Sequence, residues 1–547
     1  MAKDIAAWTV MVYLAGDNNL TTECMYALTE MKGAALDGKD FNVIAQFDPS
    51  DPYLPSHRYK IDPANKTIYE DIFDCARYYK NKDEVRFKKE SLNATALAAQ
   101  RQEALDKLRK SGLKELQKAS LTSTRVSEVS TDDTDTGSPI TLYNFISYCL
   151  ENYPARHYMV VLSGHAGGTE RDYLLKDESS ARSLTHNELK QVFRQIKRDR
   201  RGELIDIIGM DNCLMSMAEI CFELRDVAGI VVACESFSPI SGWPYRQILE
   251  RLCNEFVNPK LPRAKSVTAE AAKAIVDEYV GFYSSYWMAG LSVTQSALAV
   301  TKVEELQRHI NKLAQAMERE LVAESENRSL PSAKRSVENA LLLAHWEAQS
   351  YNGEQYVDLY DFCDCLQKRG PSREIYKRCQ TLKDFIKDEF VLNSCYCGAI
   401  YQYSYGVSIY FPWAEIAPSY WNLDFVDEKA AGWGTFLKAY TQLTRRSPRA
   451  VDKTGLNAEI AKTAASTSKR NGMADHRMMY NRGNQGDTAG ERMVFNRMLY
   501  NRMLYDRMSS ASNRIHSMRN PPVAFNPEPC VKDPTEVLKS QKLFRVR

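Results

Sequence analysis

Two short stretches constrain this chain more than any others. His157–Gly168 reads H-Y-M-V-V-L-S-G-H-A-G-G, and Leu204–Met215 reads L-I-D-I-I-G-M-D-N-C-L-M. Each is an aliphatic run that stops at a small or polar turn, the pattern of a strand buried on both faces. One run delivers a histidine at its carboxyl end, the other a cysteine. Open parallel sheets bind ligands in the crevice at the carboxyl ends of their strands. A thiol and an imidazole brought there from two strands have the makings of an activated nucleophile.

The rest of the chain supplies the sheet. Trp8–Asp17 (W-T-V-M-V-Y-L-A-G-D) predicts a buried strand, followed by a helix to about Lys32. Asn42–Asp48 predicts a second strand and Arg58–Ile61 a third, at an edge. Strands near 157–163, 204–210 and 229–234 follow, separated by amphipathic segments such as Thr185–Lys197. Strands alternating with helices predict an α/β fold with a mostly parallel sheet. Ser292–Val300 and Gly406–Phe411 read as later strands, bracketing a helical region from about 302 to 390.

Composition shifts divide the chain. Residues 1–78 read as the N-terminal part of the core, 138–300 as its catalytic part, and 301–444 as a helical region with a late strand completing it. Residues 79–137, rich in charge and ending in S-T-D-D-T-D-T-G, read as a surface insertion. Residues 445–547 read as a low-complexity tail rich in Arg, Met and Asn, with R-M-L-Y-N-R and R-M-L-Y-D-R repeating about every five residues, too short a period for a solenoid.

A net charge of +2 gives no bias toward nucleic acid, and no apolar stretch is long enough to span a bilayer. The first residues show no separate apolar segment with a cleavage site, so a cytoplasmic location is expected, with most of the 13 cysteines reduced and buried.

Of those cysteines, Cys213 suits catalysis best. It follows L-I-D-I-I-G-M and precedes L-M-S-M-A-E-I-C-F-E-L, whose periodicity predicts a helix. At a strand-to-helix turn, the helix N-terminus favours thiolate. Taken alone, Cys213 is better read as a buried structural thiol. His165 stands in S-G-H-A-G-G, where flanking glycines leave room for a substrate backbone. The N–H groups of Cys213 and of the Ala166–Gly167 stretch are candidate oxyanion donors. The residues by themselves leave a catalytic pair and a structural pair both open.

A resemblance narrows this choice. Trp8–Leu20, the Tyr153–Ala155 lead into Ser163–Gly168, the run Gly209–Met215 (G-M-D-N-C-L-M), and 233–245 (A-C-E-S-F-S-P-I-S-G-W-P-Y) resemble, in the same order, motifs of the clostripain family of cysteine peptidases. The resemblance implies a caspase-like α/β/α sandwich, with Cys213 as nucleophile and His165 as general base and acid. It implies cleavage of protein or peptide substrates after Arg or Lys, with Asp211 in the basic first-subsite pocket. Three positions depart from the family pattern: Gly164 where it has Asp, Ala166 where it has Gly, and P-I-S-G at Pro239–Gly242 where it has P-G-D-G.

The resemblance also suggests activating cleavage, by the enzyme itself or by an upstream protease, with Arg171, Lys176 and Arg182 after His165 as candidate sites. No cofactor is required by the sequence; calcium enters by family resemblance only, with no D-x-D-x-D-G loop present. Three competing readings are a catalytically degenerate scaffold, a zinc site built from Cys363, Cys365, Cys395 and Cys397, and nucleic-acid binding by the arginine-rich tail.

Overall fold

The computed structural model describes residues 5–36, 40–50, 56–61, 135–239, 241–259, 262, 265–284, 292–326, 336–352, 355–413, 415–427 and 431–446. The expected insertion at 79–137, except for its last three residues, and the tail beyond Arg446 lie outside the described residues.

The strands, in chain order, are β1 (Ala6–Gly16), β2 (Phe41–Pro49), β3 (His57–Lys60), β4 (Ala155–Ser163), β5 (Leu174–Asp177), β6 (Arg182–Leu184), β7 (Ile205–Asp211), β8 (Ala228–Ala233), β9 (Val293–Ala299), β10 (Ser350–Tyr351), β11 (Tyr356–Asp358), β12 (Val391–Cys397) and β13 (Ser408–Tyr410). Eight form one sheet in the order β12-β9-β8-β7-β4-β1-β2-β3. The five in the middle, from β8 to β2, are mutually parallel; β3 and β9 run antiparallel to their inner neighbours.

Strand periodicity sorts the core into two layers. Met11, Tyr13, Val160, Leu162 and Ile208 face one way, against Leu142, Phe145 and Ile146 of helix Pro139–Asn152 and Leu189, Val192 and Phe193 of helix His186–Asp199. Val10, Val12, Leu14, Val161 and Ile207 face the other, against helices Thr21–Gly33, Tyr245–Phe256 and Val267–Tyr283. All eleven residues of β1 are buried, as a central strand covered on both faces requires. This is the expected α/β/α sandwich. Helix His186–Asp199 begins where a capping box can form: Thr185 accepts from the Glu188 N–H while Glu188 reaches back to the Thr185 N–H.

The late strands differ from expectation. The 406–411 run yields β13, which pairs with β11 in a separate three-stranded sheet instead of completing the central one. The central sheet is finished by β12 against β9. V-L-N-S-C-Y-C lacks the continuous aliphatic run of an inner strand because it is an edge strand. The helical stretch from 302 to 390 is interrupted by the β10–β11 hairpin. Among the described residues no helix is long and apolar enough to cross a membrane.

Candidate active site

Pairing between β4 and β7 brings the two signature stretches together. Their last paired residues are Ser163 and Asp211, and His165 and Cys213 each follow two residues later on neighbouring parallel strands. Adjacent strands run about 4.8 Å apart, so both residues follow neighbouring strands at the same end of the sheet.

The Cys213 turn is held from β8. Leu214, at φ 62°, donates its N–H to the Ser236 carbonyl at 3.0 Å, and Met215 and Ser216 donate to the Cys234 carbonyl. None of these bonds uses the Cys213 N–H. The Ser238 N–H donates to Cys213 Sγ at 3.3 Å. Burial pushes the thiol up to about 11; the Ser238 N–H opposes that shift and the Asp211 carboxylate adds to it. The expected help from a helix N-terminus is missing. The next helix is the six-residue Ala218–Glu223, because the intervening apolar residues are drawn into a turn by the Ser236 and Cys234 carbonyls.

His165 is fixed at backbone and ring. Its carbonyl accepts from Leu175 N at 2.8 Å, and its Nε2 lies 2.6 Å from Asn19 Oδ1. Burial pulls its pKa below the ordinary histidine value, nearby Lys176 lowers it further, and Glu178 works in the opposite sense. Both shifts favour the neutral thiol and the neutral imidazole. Among the described residues no hydrogen bond joins them, a common situation before substrate tightens a site.

The glycines around His165 do not open space for substrate as expected. A Cβ on Gly167 would strike the Tyr173 ring, and Gly168, at φ +63°, lies under the Tyr356 hydroxyl. They make room for the protein's own tyrosines. The Gly167 N–H is taken by the Tyr173 carbonyl at 3.2 Å. The Ala166–Leu174 bridge is closed by that bond and by Leu175 N to His165 O, so the Ala166 N–H takes no part in it. Of the Ala166–Gly167 pair, the alanine N–H is the one left for an oxyanion.

Asp211 is 5% exposed. Its Oδ2 accepts from Ser163 Oγ at 2.9 Å and from Tyr245 OH at 2.7 Å. Burial raises it to about 6 against the pull of these hydroxyls and of the Trp243 backbone. Gly242, at φ +65°, covers it so closely that a Cβ would sit 2.9 Å from Oδ2. Ser241 stands where the family pattern has an acid, and its hydroxyl pairs with Tyr283 OH at 2.9 Å.

The segment after His165 that carries the candidate processing sites Lys176 and Arg182 is a packed hairpin, β5 on β6; Leu174, Leu175 and Leu184 are fully buried and pin it. Arg171 is exposed at the end of the helical turn Gly168–Arg171. Lys176 is exposed on β5, but its carbonyl accepts from Asn18 Nδ2 at 2.7 Å. Arg182, on β6, is paired with Asp135 and Glu188. Cys363 and Cys365 are buried on helix Leu359–Lys368, away from Cys395 and Cys397 on β12 in sequence and element. Among the described residues no three His, Cys, Asp or Glu side chains converge on a point that could hold a metal ion. Sequence reasoning missed Asn19, Ser238 and Tyr245; Asn19 was visible only as one letter of the D-N-N-L run.

A parallel sheet that delivers a cysteine and a histidine to one edge defines a class of nucleophilic hydrolases, and comparison with known proteins specifies the family. The clostripain family model, peptidase family C11, matches residues 12–440, and the chain belongs to that family. It is 26% identical over 262 residues to clostripain of Hathewaya histolytica, an alignment spanning 45% of this chain and 42% of that protein. The chain thus spans about two fifths of the length of this curated relative. Among solved structures it is similar to a secreted C11 cysteine protease of Bacteroides thetaiotaomicron in complex with an irreversible peptide inhibitor, at 14% identity and a TM-score of 0.46, covering 80% of this chain and 99% of the other. It is also similar to an inactive zymogen C11 protease of Parabacteroides distasonis, at 16% identity and a TM-score of 0.46, covering 78% and 98%.

Proposed function

We propose that this chain is a cysteine endopeptidase that hydrolyses peptide bonds after Arg or Lys. The observation that carries the reading is the β4–β7 register, which sets His165 and Cys213 at the same offset beyond paired residues. The Cys213 thiol passes its proton to His165 as sulfur bonds to the scissile carbonyl carbon. The N–H groups of Cys213 and Ala166 receive the oxyanion. His165 then gives the proton to the departing amine as the C–N bond breaks, and water, deprotonated by His165, cleaves the thioester.

Asp211 supports selectivity for a cationic side chain: a buried carboxylate pairs with a guanidinium or ammonium, whereas an apolar side chain leaves it unpaired. With serine at 241, this selectivity rests on one acid. Processing at Lys176 or Arg182 requires the β5–β6 hairpin to open first, since the Lys176 carbonyl and the Arg182 side chain are both engaged, whereas Arg171 is exposed just before the hairpin. Ten of the eleven cysteines among the described residues are free thiols, which supports the reducing compartment expected from the sequence, whereas Cys395 is disulfide-bonded and counts against it.

Peptide-library digestion with wild type and Cys213→Ala tests the reading. Cleavage after Arg or Lys by wild type alone supports it. Equal turnover by the variant contradicts it, and inertness of both proteins supports a degenerate scaffold. Intact masses of the two proteins decide self-processing: fragments in wild type alone support it, identical patterns exclude it.

A further inference from the structure

The contact between His165 and the β1 turn belongs to no part of the catalytic reading above, and it has the geometry of a third catalytic-site group. His165 Nε2 lies 2.6 Å from Asn19 Oδ1, which bridges 146 positions of sequence. An amide oxygen only accepts, so the proton of this bond sits on Nε2. That leaves Nδ1 as the unprotonated ring nitrogen, the one able to take a proton from a thiol.

Asn19 is itself exposed, but its turn is rigid. The preceding Asn18 is buried; its Nδ2 donates to the Ala15 carbonyl at 3.1 Å and to the Lys176 carbonyl at 2.7 Å, and its Oδ1 accepts from Leu20 N at 2.8 Å. Thr21 Oγ1 closes the turn onto the Asn18 carbonyl at 3.0 Å. On the other side Glu178 N donates to the Asp17 carbonyl at 2.8 Å. The turn is thereby fastened both to β1 and to the hairpin that holds the His165 carbonyl. An exposed amide on so fixed a turn has no packing role; its bond is to the imidazole.

From this geometry we infer that Asn19 is a positioning residue of the peptidase: it fixes His165 in the Nε2–H tautomer and aims Nδ1 at Cys213. The inference rests on the Cys213–His165 reading. A nucleophile, a base and a third group that orients the base are the recurring plan of such sites. A neutral amide does this work without adding a charge that would hold the proton on the imidazolium, which must release it to the leaving amine. Asp in its place would orient the ring as well but would also stabilise the charged ring.

The test compares wild type, Asn19→Ala, Asn19→Asp and Cys213→Ala on a fluorogenic arginine peptide, with kcat and KM followed across pH. Asn19→Ala is expected to lose kcat about 10- to 100-fold, with KM within about twofold. Asn19→Asp is expected to recover much of that loss and to move the acid limb of kcat/KM upward by about one pH unit. In Cys213→Ala protein, nitrogen NMR of His165 is expected to show the Nε2–H tautomer, lost when Asn19→Ala is added. If Asn19→Ala turns over within twofold of wild type, or if both Asn19 variants fall equally with an unmoved acid limb, the inference is overturned while the dyad stands. If Cys213→Ala keeps wild-type turnover, the dyad reading fails first and takes this inference with it.

Discussion

The two strand-end turns lie at the same end of the sheet, yet they are braced from different parts of the chain. The β7 turn is held by the segment after β8: the Ser236 and Cys234 carbonyls accept its N–H groups, the Ser238 N–H donates to Cys213 Sγ, and the Cys234 thiol and Ser238 hydroxyl donate to the Asn212 carbonyl. The β4 turn is held by the main chain of Tyr173 and Leu175 and by side chains from farther off: Asn19 on the ring, Tyr173 and Tyr356 over its glycines. Burial drives the thiol up to about 11 and the imidazole down, so each turn favours its neutral form. Both shifts favour thiol plus imidazole over a preformed thiolate–imidazolium pair. Proton transfer waits for substrate, and the two turns differ in what they must supply. The cysteine turn needs a base; the histidine turn needs a fixed direction.

The largest effect that sharpens this contrast comes from the reacting groups. Cys213→Ala and His165→Ala should each lower kcat by about 10³-fold or more, and combining them should cost little beyond either alone, because they act as one unit. Steady-state kinetics on an arginine peptide measures this, and additive losses would break the pairing of the turns. Next comes Asp211, the proposed partner of the substrate's cationic side chain. Asp211→Asn should reduce the preference for Arg over Leu at the cleaved position by about 10²-fold or more, read as a ratio of kcat/KM values.

A pH series isolates the same carboxylate. Asp211 is raised to about 6, so it is ionised above that pH and neutral below it. The Arg-to-Leu ratio should hold above pH 6 and decline as pH falls through it; His165 serves both substrates equally and drops out of the ratio. A ratio flat from pH 7 to pH 5 would remove Asp211 from recognition. The thiol supplies a smaller, slower signal. Iodoacetamide should alkylate Cys213 of the free enzyme slowly at pH 7, with thiolate at about one part in 10⁴, and faster toward pH 11. A pH-independent fast plateau near neutrality would mean a preformed ion pair. The smallest effect belongs to the histidine turn: Gly167→Ala, whose Cβ meets the Tyr173 ring, should cost about 1–3 kcal/mol of stability, measured by urea unfolding.

The sequence showed the sheet wherever burial on both faces left a continuous aliphatic run. β1, β4 and β7 announced themselves this way, and with them the placement of His165 and Cys213. β12 did not, because an edge strand packs on fewer sides and V-L-N-S-C-Y-C carries polar residues between apolar ones. The helix expected straight after Cys213 failed for a tertiary reason. L-M-S-M has the composition of a helix start, but two carbonyls of the neighbouring segment capture its N–H groups first. The glycines of S-G-H-A-G-G were legible as close-approach positions, but sequence could not say that Tyr173 and Tyr356 would be the approaching groups. Asn19 was hidden because its meaning depends on a partner 146 residues away.

The central claim is that sulfur 213 reacts, with imidazole 165 as its base, on substrates ending in a cation. An arginine acyloxymethyl ketone, followed by mass spectrometry of the whole protein and its peptides, tests it most directly. The account predicts one equivalent of label, carried on the peptide containing Cys213, absent from Cys213→Ala and strongly slowed in His165→Ala. Label on any other cysteine, or labelling unchanged by loss of His165, would contradict it.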